Sequence, residues 1–354
     1  MPAEIATLRP AIIRHPSPEE PVLDPLSQAV LGASAAQSGA SAHEMRAAAV
    51  VGLLGGMAPD LDVLIRSTRD PLLFLEYHRQ FTHALAFIPF GSLLVALVLY
   101  GLFARRWLSL RMTWLYAALG YATHGLLDAC TTYGTMLLWP FSDARIAWNL
   151  VSVIDPAFTL PVMLLAGLSV ARRSRTLAVI ALAWAVAYPL LGMVQRDRAS
   201  AVGMEQALAR GHRPLRLEAR PSFANILLWK IVYQAGERFY VDTVRVGAGT
   251  RFYPGESVPV LDARRHLAWL QPGSQQARDV ERFRWFSNDY LAPHPEDPLQ
   301  VIDMRFSLVP NQVDPLWTIR LDPRAHREQH VEYLVSRDTG NGKVQEFRRM
   351  LLGR

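Results

Sequence analysis

Cysteine is nearly missing from this 354-residue chain. Cys130 stands alone, so no intrachain disulfide can form and no CxxC zinc ribbon exists. Blocks rich in lysine and arginine are also missing, although the net charge is +6 and the pI is about 9.7. A nucleic-acid-binding arm is therefore not expected, and the basicity reads as loop anchoring at a membrane plus a basic soluble part. The first twenty residues hold Pro2, Pro10, Pro16, Pro18, Glu19 and Glu20 but no apolar run, so no cleavable signal peptide is expected. Hydrophobic residues make up 51% and charged residues 19%, with a mean hydropathy of +0.11. That is too apolar for an average soluble domain and too charged for a pure membrane bundle, so a mixture of the two is predicted.

In chain order, residues 1–23 read as an irregular, proline-rich leader. A short apolar helix follows from Asp24 to about Gly39. A second runs to Met57, with Ser41 and Glu44 placed to form a capping box at its start. Ala47, Ala48, Ala49, Gly52, Gly55 and Gly56 suit close helix packing, and the pair reads as a short, tightly packed, re-entrant hairpin. Four full spans are predicted beyond it, at 84–104, 112–130, 153–171 and 176–195. The arginines at 105–111 and 172–175 should face the cytoplasm, which places segments 59–83 and 131–152 on the opposite, external side. Residues 24–195 thus form a membrane-embedded domain. Residues 196–354 form an extracytoplasmic α+β or mostly β domain, with strands in ILLWKIVYQ, RFYVDTVRV, LQVIDMRFSLVP, LWTIRLDP and VEYLVSRD. Helices are expected at 199–210 and 274–287.

Asp60, Asp62, His78, His83, His124 and Asp128 all sit at or near the ends of apolar runs. Ionisable groups at the edge of lipid-embedded helices are costly and point to function. His124 and Asp128 are one turn apart on one helical face, a spacing that lets imidazole and carboxylate converge on zinc or manganese. Asp60 and Asp62 follow the helix break at Pro59, and Asp155 opens a further span. Together they could hold one or two divalent ions, and such an ion would activate a water against an ester or phosphoester. Each residue also has a plainer reading. Asp60 could be a turn residue, Asp128 an acceptor for Thr131 or Thr132, and Asp155 a helix cap with Pro156 at the first helical position. Arg79 could bind a substrate phosphate or anchor at the interface. The stretch YGTMLLWPFS (133–142) could be a lid over the site or an aromatic belt.

The segments DPLSQAVLGA (24–33), APDLD (58–62), HRQFTHA (78–84), THGLLD (123–128), YGTMLLWPFS (133–142) and VIDP (153–156), in this order, resemble the YdjM-type family. That family is described as LexA-binding, inner membrane-associated metal-dependent hydrolases. The resemblance covers about residues 24–195 and, more loosely, the strand-rich tail, and it implies a bacterial inner-membrane location. It also implies that Asp60, Asp62, His78, His83, His124 and Asp128 match the positions read as a metal site. Many members carry a histidine in the first motif where Gln28 stands here, so Gln28 either orients a water or substrate, or the site has fewer ligands.

The expectation is an integral membrane hydrolase for an ester or phosphoester, with membrane lipids as partners and a lipid-linked or phosphorylated substrate. Asp60, Asp62, His83, His124 and Asp128 are its metal ligands, His78 a ligand or general acid/base, Arg79 the anion holder, and Gln28 and Asp155 additional members. The metal is expected to be zinc, with manganese or magnesium as alternatives. A non-enzymatic scaffold, or a metal- or proton-linked transporter, is the competing class. The near absence of polar residues at mid-depth in 84–104 and 176–195 argues against transport.

Overall fold

Small residues bring the first helices together backbone to backbone. In the computed structural model, which describes residues 25–336 and 339–354, helix α1 (Pro25–Ser38) is followed by α2 (Met45–Met57). The leader 1–23 and Asp24 lie outside the described residues. A Cβ on Gly52 would collide with the Cβ of Ala36 and the carbonyl oxygen of Gly32, and only glycine permits that approach. Ser27 to Gln37 are buried along the whole of α1, which makes it the central helix of the bundle. Ser41 does not cap α2 as the capping box predicts. The helix starts after Glu44, whose carboxylate instead takes hydrogen bonds from the hydroxyls of Ser41 and Tyr116.

A 3-10 stretch (Ala58–Leu64) leads to α3 (Leu73–Tyr77) and two further 3-10 turns, Phe81–His83 and Leu85–Phe87. Four longer helices follow: α4 (Ile88–Leu102), α5 (Leu110–Cys130), α6 (Pro156–Arg172) and α7 (Arg175–Ala209). By length and composition, three helical segments among the described residues are apolar enough to cross a membrane: Met45–Leu64, Leu85–Leu102 and Arg175–Ala209. The set differs from the predicted one. Met45–Leu64, read from sequence as part of a short hairpin, qualifies. Helix α5 carries Arg111, His124 and Asp128 and does not, while α6 is apolar but has only 17 residues. Phe90, Leu94, Leu97, Val186, Leu190 and Val194 stand exposed on α4 and α7, the surface expected of helices that face lipid.

Helix α7 continues unbroken past residue 195, where the sequence turns soluble in character, and at 1.5 Å per residue it is about 50 Å long. Its last turns pack on the carboxy-terminal sheet, with Ala199 and Ala207 against Ile231 and Tyr233. That part is rich in β-sheet. Strands β1 (Arg216–Pro221), β2 (Leu228–Ala235), β3 (Arg238–Val246) and β4 (Thr250–Tyr253) run antiparallel in this order, and β5 (Ser257–Pro259) also pairs with β3. The Ala-Gly-Glu turn between β2 and β3 uses Gly236 at φ 57°, and the register sets Tyr233 opposite Tyr240 with their rings stacked. After α8 (Ala263–His266) and α9 (Gln275–Phe286) comes a second antiparallel sheet of β6 (Leu291–Pro293), β7 (Gln300–Asp303), β8 (Trp317–Arg320) and β9 (Glu332–Val335). Phe239 and Val241 of the first sheet share a core with Ala292 and Ile302 of the second. Helix α10 (Asn341–Leu351) closes the chain, its Met350 packed with Leu228 and Tyr253.

Two contacts lock the β-rich part onto the helical part, one at the segment between α2 and α4 and one at the loop after α5. Arg282 of α9 holds Asp70 through two hydrogen bonds of 2.8 and 2.9 Å and also pairs with Glu76. Arg220 of β1 donates to the carbonyl of Thr132 at 2.9 Å.

Glycine contacts and one buried amine make the fold testable. A Cβ on Gly120 of α5 would collide with the Gly52 carbonyl oxygen of α2. Gly120→Ala should therefore cost about 1–3 kcal/mol, read as a lower melting temperature in detergent; an unchanged value would refute the contact. Lys230 is buried in β2 and donates to Ser307 Oγ at 2.7 Å. Burial pushes its amine down from 10.5 to about 7, although Glu256, Asp303 and Asp314 pull the other way. The unfolded chain then binds a proton below about 10.5 that the folded chain refuses until about 7, so stability should rise with pH across that window. Lys230→Met should flatten that rise, measured by thermal unfolding followed through tryptophan emission. Equal slopes in wild type and variant would contradict it.

Candidate metal centre

Asp62 is spent entirely on protein donors. Its Oδ1 lies 2.7 Å from His78 Nδ1. Its Oδ2 accepts from the Arg79 backbone N–H at 3.0 Å and from the Thr82 hydroxyl at 2.7 Å, and lies 3.2 Å from His83 Nδ1. The buried carboxylate thus gathers the turn 78–83 around itself, and Arg79 adopts a φ of 65° to present its N–H. Tyr121 of α5 adds a hydrogen bond from its hydroxyl to the Thr82 carbonyl at 2.8 Å. Gly125, also on α5, lies where a Cβ would collide with the His83 carbonyl oxygen, so its lack of a side chain lets the turn close onto the helix.

The result brings His83 against His124. Their Nε2 atoms are 2.9 Å apart and the rings meet edge to face. Both tautomers are set by the other ring nitrogen. His124 Nδ1 donates to the Gly56 carbonyl at 2.5 Å, and a carbonyl can only accept. Thr82 gives its proton to Asp62, so the Thr82 oxygen at 2.9 Å and Asp62 at 3.2 Å both act as acceptors for His83 Nδ1. Each Nε2 therefore turns a lone pair toward the other. Two lone pairs at that distance repel unless a cation, a proton or a metal ion, lies between them.

Two carboxylate oxygens meet at the same place. Asp60 Oδ1 is 3.5 Å from His83 Nε2 and 3.3 Å from His124 Nε2, while Asp128 Oδ2 is 3.2 and 3.7 Å from the same atoms. Both oxygens are shielded from solvent and accept no hydrogen bond among the described residues. The ligand atoms of Asp60, His83, His124 and Asp128 all lie within 4.8 Å of one another, and five of their separations scatter about 3.3 Å. A tetrahedral ion with bonds of roughly 2.0–2.1 Å has ligand edges of about 3.3–3.4 Å. The group can hold a metal ion by geometry as well as by chemistry. Asp60, Asp62 and His78 form a second group within the same limit, but there the Asp62 oxygens already have donors.

The other predicted residues surround this cluster. Gln28 of α1 donates from Nε2 to Asp128 Oδ1 at 3.0 Å, which leaves Oδ2 turned to the histidines. Arg79 is almost fully buried, with Nε 3.1 Å from Asp128 Oδ2 and Nη1 donating to Thr131 Oγ1 at 3.1 Å. Thr131 in turn donates to the backbone carbonyl of Asp128 rather than to its carboxylate. Asp155 caps α6, accepting from the Ala157 N–H at 3.1 Å and from the Tyr188 hydroxyl, and is in neither ligand group. It does line a cavity of about 20 Å³ with Gln28, Asp60, Arg79 and Asp128, which is room for one water. His78 stacks on Phe74 and keeps a buried Nε2 without a partner. The 133–142 stretch faces both ways, with Tyr133 beneath the Arg79 guanidinium and Phe141 exposed.

Sequence reasoning missed Thr82 and the Gly56 carbonyl, which help set the histidine tautomers, and Gly125, which lets the turn close onto α5. Thr82 and Gly125 adjoin His83 and His124 in the text, and that adjacency is the only local signal they carry. Nothing local marks a backbone carbonyl.

Comparison with known proteins agrees with the resemblance seen in the sequence. The model of the family described as YdjM inner membrane protein matches residues 23–199. The uncharacterized protein YfhP of Bacillus subtilis is 30% identical over 104 residues, 29% of this chain and 31% of that protein. The inner membrane protein YbcI of Escherichia coli is 34% identical over 108 residues, 29% of this chain and 60% of that protein. The similarity thus spans less than two thirds of either relative, and no solved structure matches. With a family model covering half its length and the apolar helices already described, the chain belongs to the YdjM inner membrane protein family.

Proposed function

We propose that this protein is a membrane-bound, metal-dependent hydrolase of an ester or phosphoester. The observation that carries the reading is the pair of imidazole lone pairs facing each other at 2.9 Å, with Asp60 Oδ1 and Asp128 Oδ2 3.2 to 3.7 Å from both nitrogens. Asp60, His83, His124 and Asp128 would hold the ion. A two-nitrogen, two-oxygen set suits zinc first and manganese next, and magnesium least. The bound ion would supply a water of lowered pKa near neutral pH.

The protein's own groups divide the remaining work. Asp62 orients His83, and Gln28 orients Asp128, as outer partners that hold ligands in place. The one-water cavity beside Asp60 and Asp128 offers the attacking water a place. His78, held through Nδ1 by Asp62, has Nε2 available to take or give a proton. Arg79 balances the Asp128 charge.

In the proposed topology α4 to α7 are the four full spans, with α1 and α2 a hairpin packed among them. Arg105, Arg106, Arg172, Arg173 and Arg175 at the end away from the cluster favour a cytoplasmic position for that end. The metal cluster and the β-rich domain would then lie on the extracytoplasmic face, among lipid headgroups. That position motivates a lipid-linked substrate.

Elemental analysis of detergent-purified protein should find stoichiometric zinc or manganese, and His124→Ala should abolish both metal and hydrolysis of an activated phosphodiester. Protein that holds no metal after resupply would remove the basis of the reading. Asp62→Asn separates the outer role from direct ligation. It should weaken metal binding by about 10–100-fold while leaving a bindable site, measured by competition with a chelator. A loss as complete as that of His124→Ala would make Asp62 a ligand.

A further inference from the structure

A second cavity lies where the helical part meets the second sheet, on the other side of Arg79. Its volume is about 70 Å³, and its lining includes Arg66, His78, Arg79, Arg145, Trp317 and Tyr333 but, among the described residues, no carboxylate. Arg79 lines both this cavity and the small one beside Asp60 and Asp128.

Arg145 is the unusual member. It comes from the 131–152 loop and donates to the backbone carbonyls of Leu75 and Gly134 at 3.3 and 2.9 Å. Its guanidinium lies over the rings of Trp285 and Phe286. It pairs with no carboxylate among the described residues, and its Nε is shielded from solvent without a partner. The other arginines nearby are committed: Arg79 to Asp128, Arg282 to Asp70 and Glu76, and Arg305 to Asp303. Burial, then the neighbouring charges of Arg79 and Arg305, push Arg145 down to about 9 against the pull of Asp62 and Asp128, so at neutral pH it remains a cation. A buried, uncompensated guanidinium is costly, and an anion that can accept from its fork relieves the cost. His78, more than nine-tenths buried, lines the same cavity with an unpartnered Nε2.

We propose that this cavity binds the phosphate group of an organic phosphate, anchored by Arg145 and seated against the aromatic wall of Trp317 and Tyr333. The β-rich domain thereby supplies part of the substrate site. The inference deepens the hydrolase reading and rests on it for where the substrate is cleaved; anion binding itself does not require it. The phosphate can belong to a lipid headgroup or to a soluble ester, and both present the same oxygens to Arg145.

The test uses full-length protein in a neutral detergent, stripped of metal so that phosphate cannot bind an ion. Inorganic phosphate and dihexanoyl phosphatidic acid are titrated separately, with tryptophan emission and melting temperature as readouts against chloride at equal ionic strength. Both ligands should raise the melting temperature of wild type. Arg145→Gln should weaken binding by about tenfold or more, with Arg145→Lys in between. Tighter binding of the phosphatidic acid assigns a lipid, and equal binding assigns a soluble phosphate. Absence of any phosphate effect on wild type overturns the proposal even if the variants fail to fold, and so does unchanged binding by a folded Arg145→Gln. Phosphate binding without metal-dependent hydrolysis would remove the hydrolase reading alone. Hydrolysis that persists without Arg145-dependent binding would remove only this one.

Discussion

A single buried carboxylate organises this molecule. Asp62 accepts from a ring nitrogen, a backbone N–H and a hydroxyl, and lies beside a second ring nitrogen, all contributed by residues 78 to 83. An unpaired carboxylate in this position would be expensive, so the turn has little freedom to do anything but wrap around it. That wrapping orders His78, Arg79 and His83 at once. Everything chemically suggestive about the site follows from where the turn then lies.

The helices supply the other half of the constraint. Backbone-to-backbone approach among α1, α2 and α5 is possible only through glycine, as at Gly52 and Gly120, and it brings the ends of α2 and α5 together. Because α5 contributes both His124 and Asp128, and Gly125 between them admits the His83 backbone, one helical turn meets the Asp62 turn over its full width. The cluster is therefore a product of close helix packing as much as of ligand chemistry. A bundle with larger residues at these positions would hold the same imidazoles and carboxylates too far apart.

The β-rich domain is coupled to this centre rather than merely tethered after α7. Arg282 grips Asp70 and Glu76 on the segment that leads into His78, and Arg220 reaches the loop that follows α5. Arg145 of that loop lies against Trp285 and Phe286 of α9. Charge is distributed to match: carboxylates concentrate on the metal side of Arg79, and cations on the side facing the sheet.

Much was legible in the text, for physical reasons that are local. Hydropathy is a property of a window of residues, so the apolar helices and the division from a strand-rich tail could be read directly, and alternation located β2, β3, β8 and β9. Pro156 after Asp155 signalled the helix cap that the structure contains. Span counting was less secure, because α5 carries the very residues that make it interesting, and their polarity removes it from the set of apolar helices. The chain by itself determined which ligand types were available and near which helix ends. Tertiary structure decided their division of labour: Asp60 and Asp62 look equivalent two residues apart, yet one has an oxygen with no donor while the other has none to spare. The reason is that a lone pair's direction depends on hydrogen bonds from residues distant in sequence, and no local pattern encodes them.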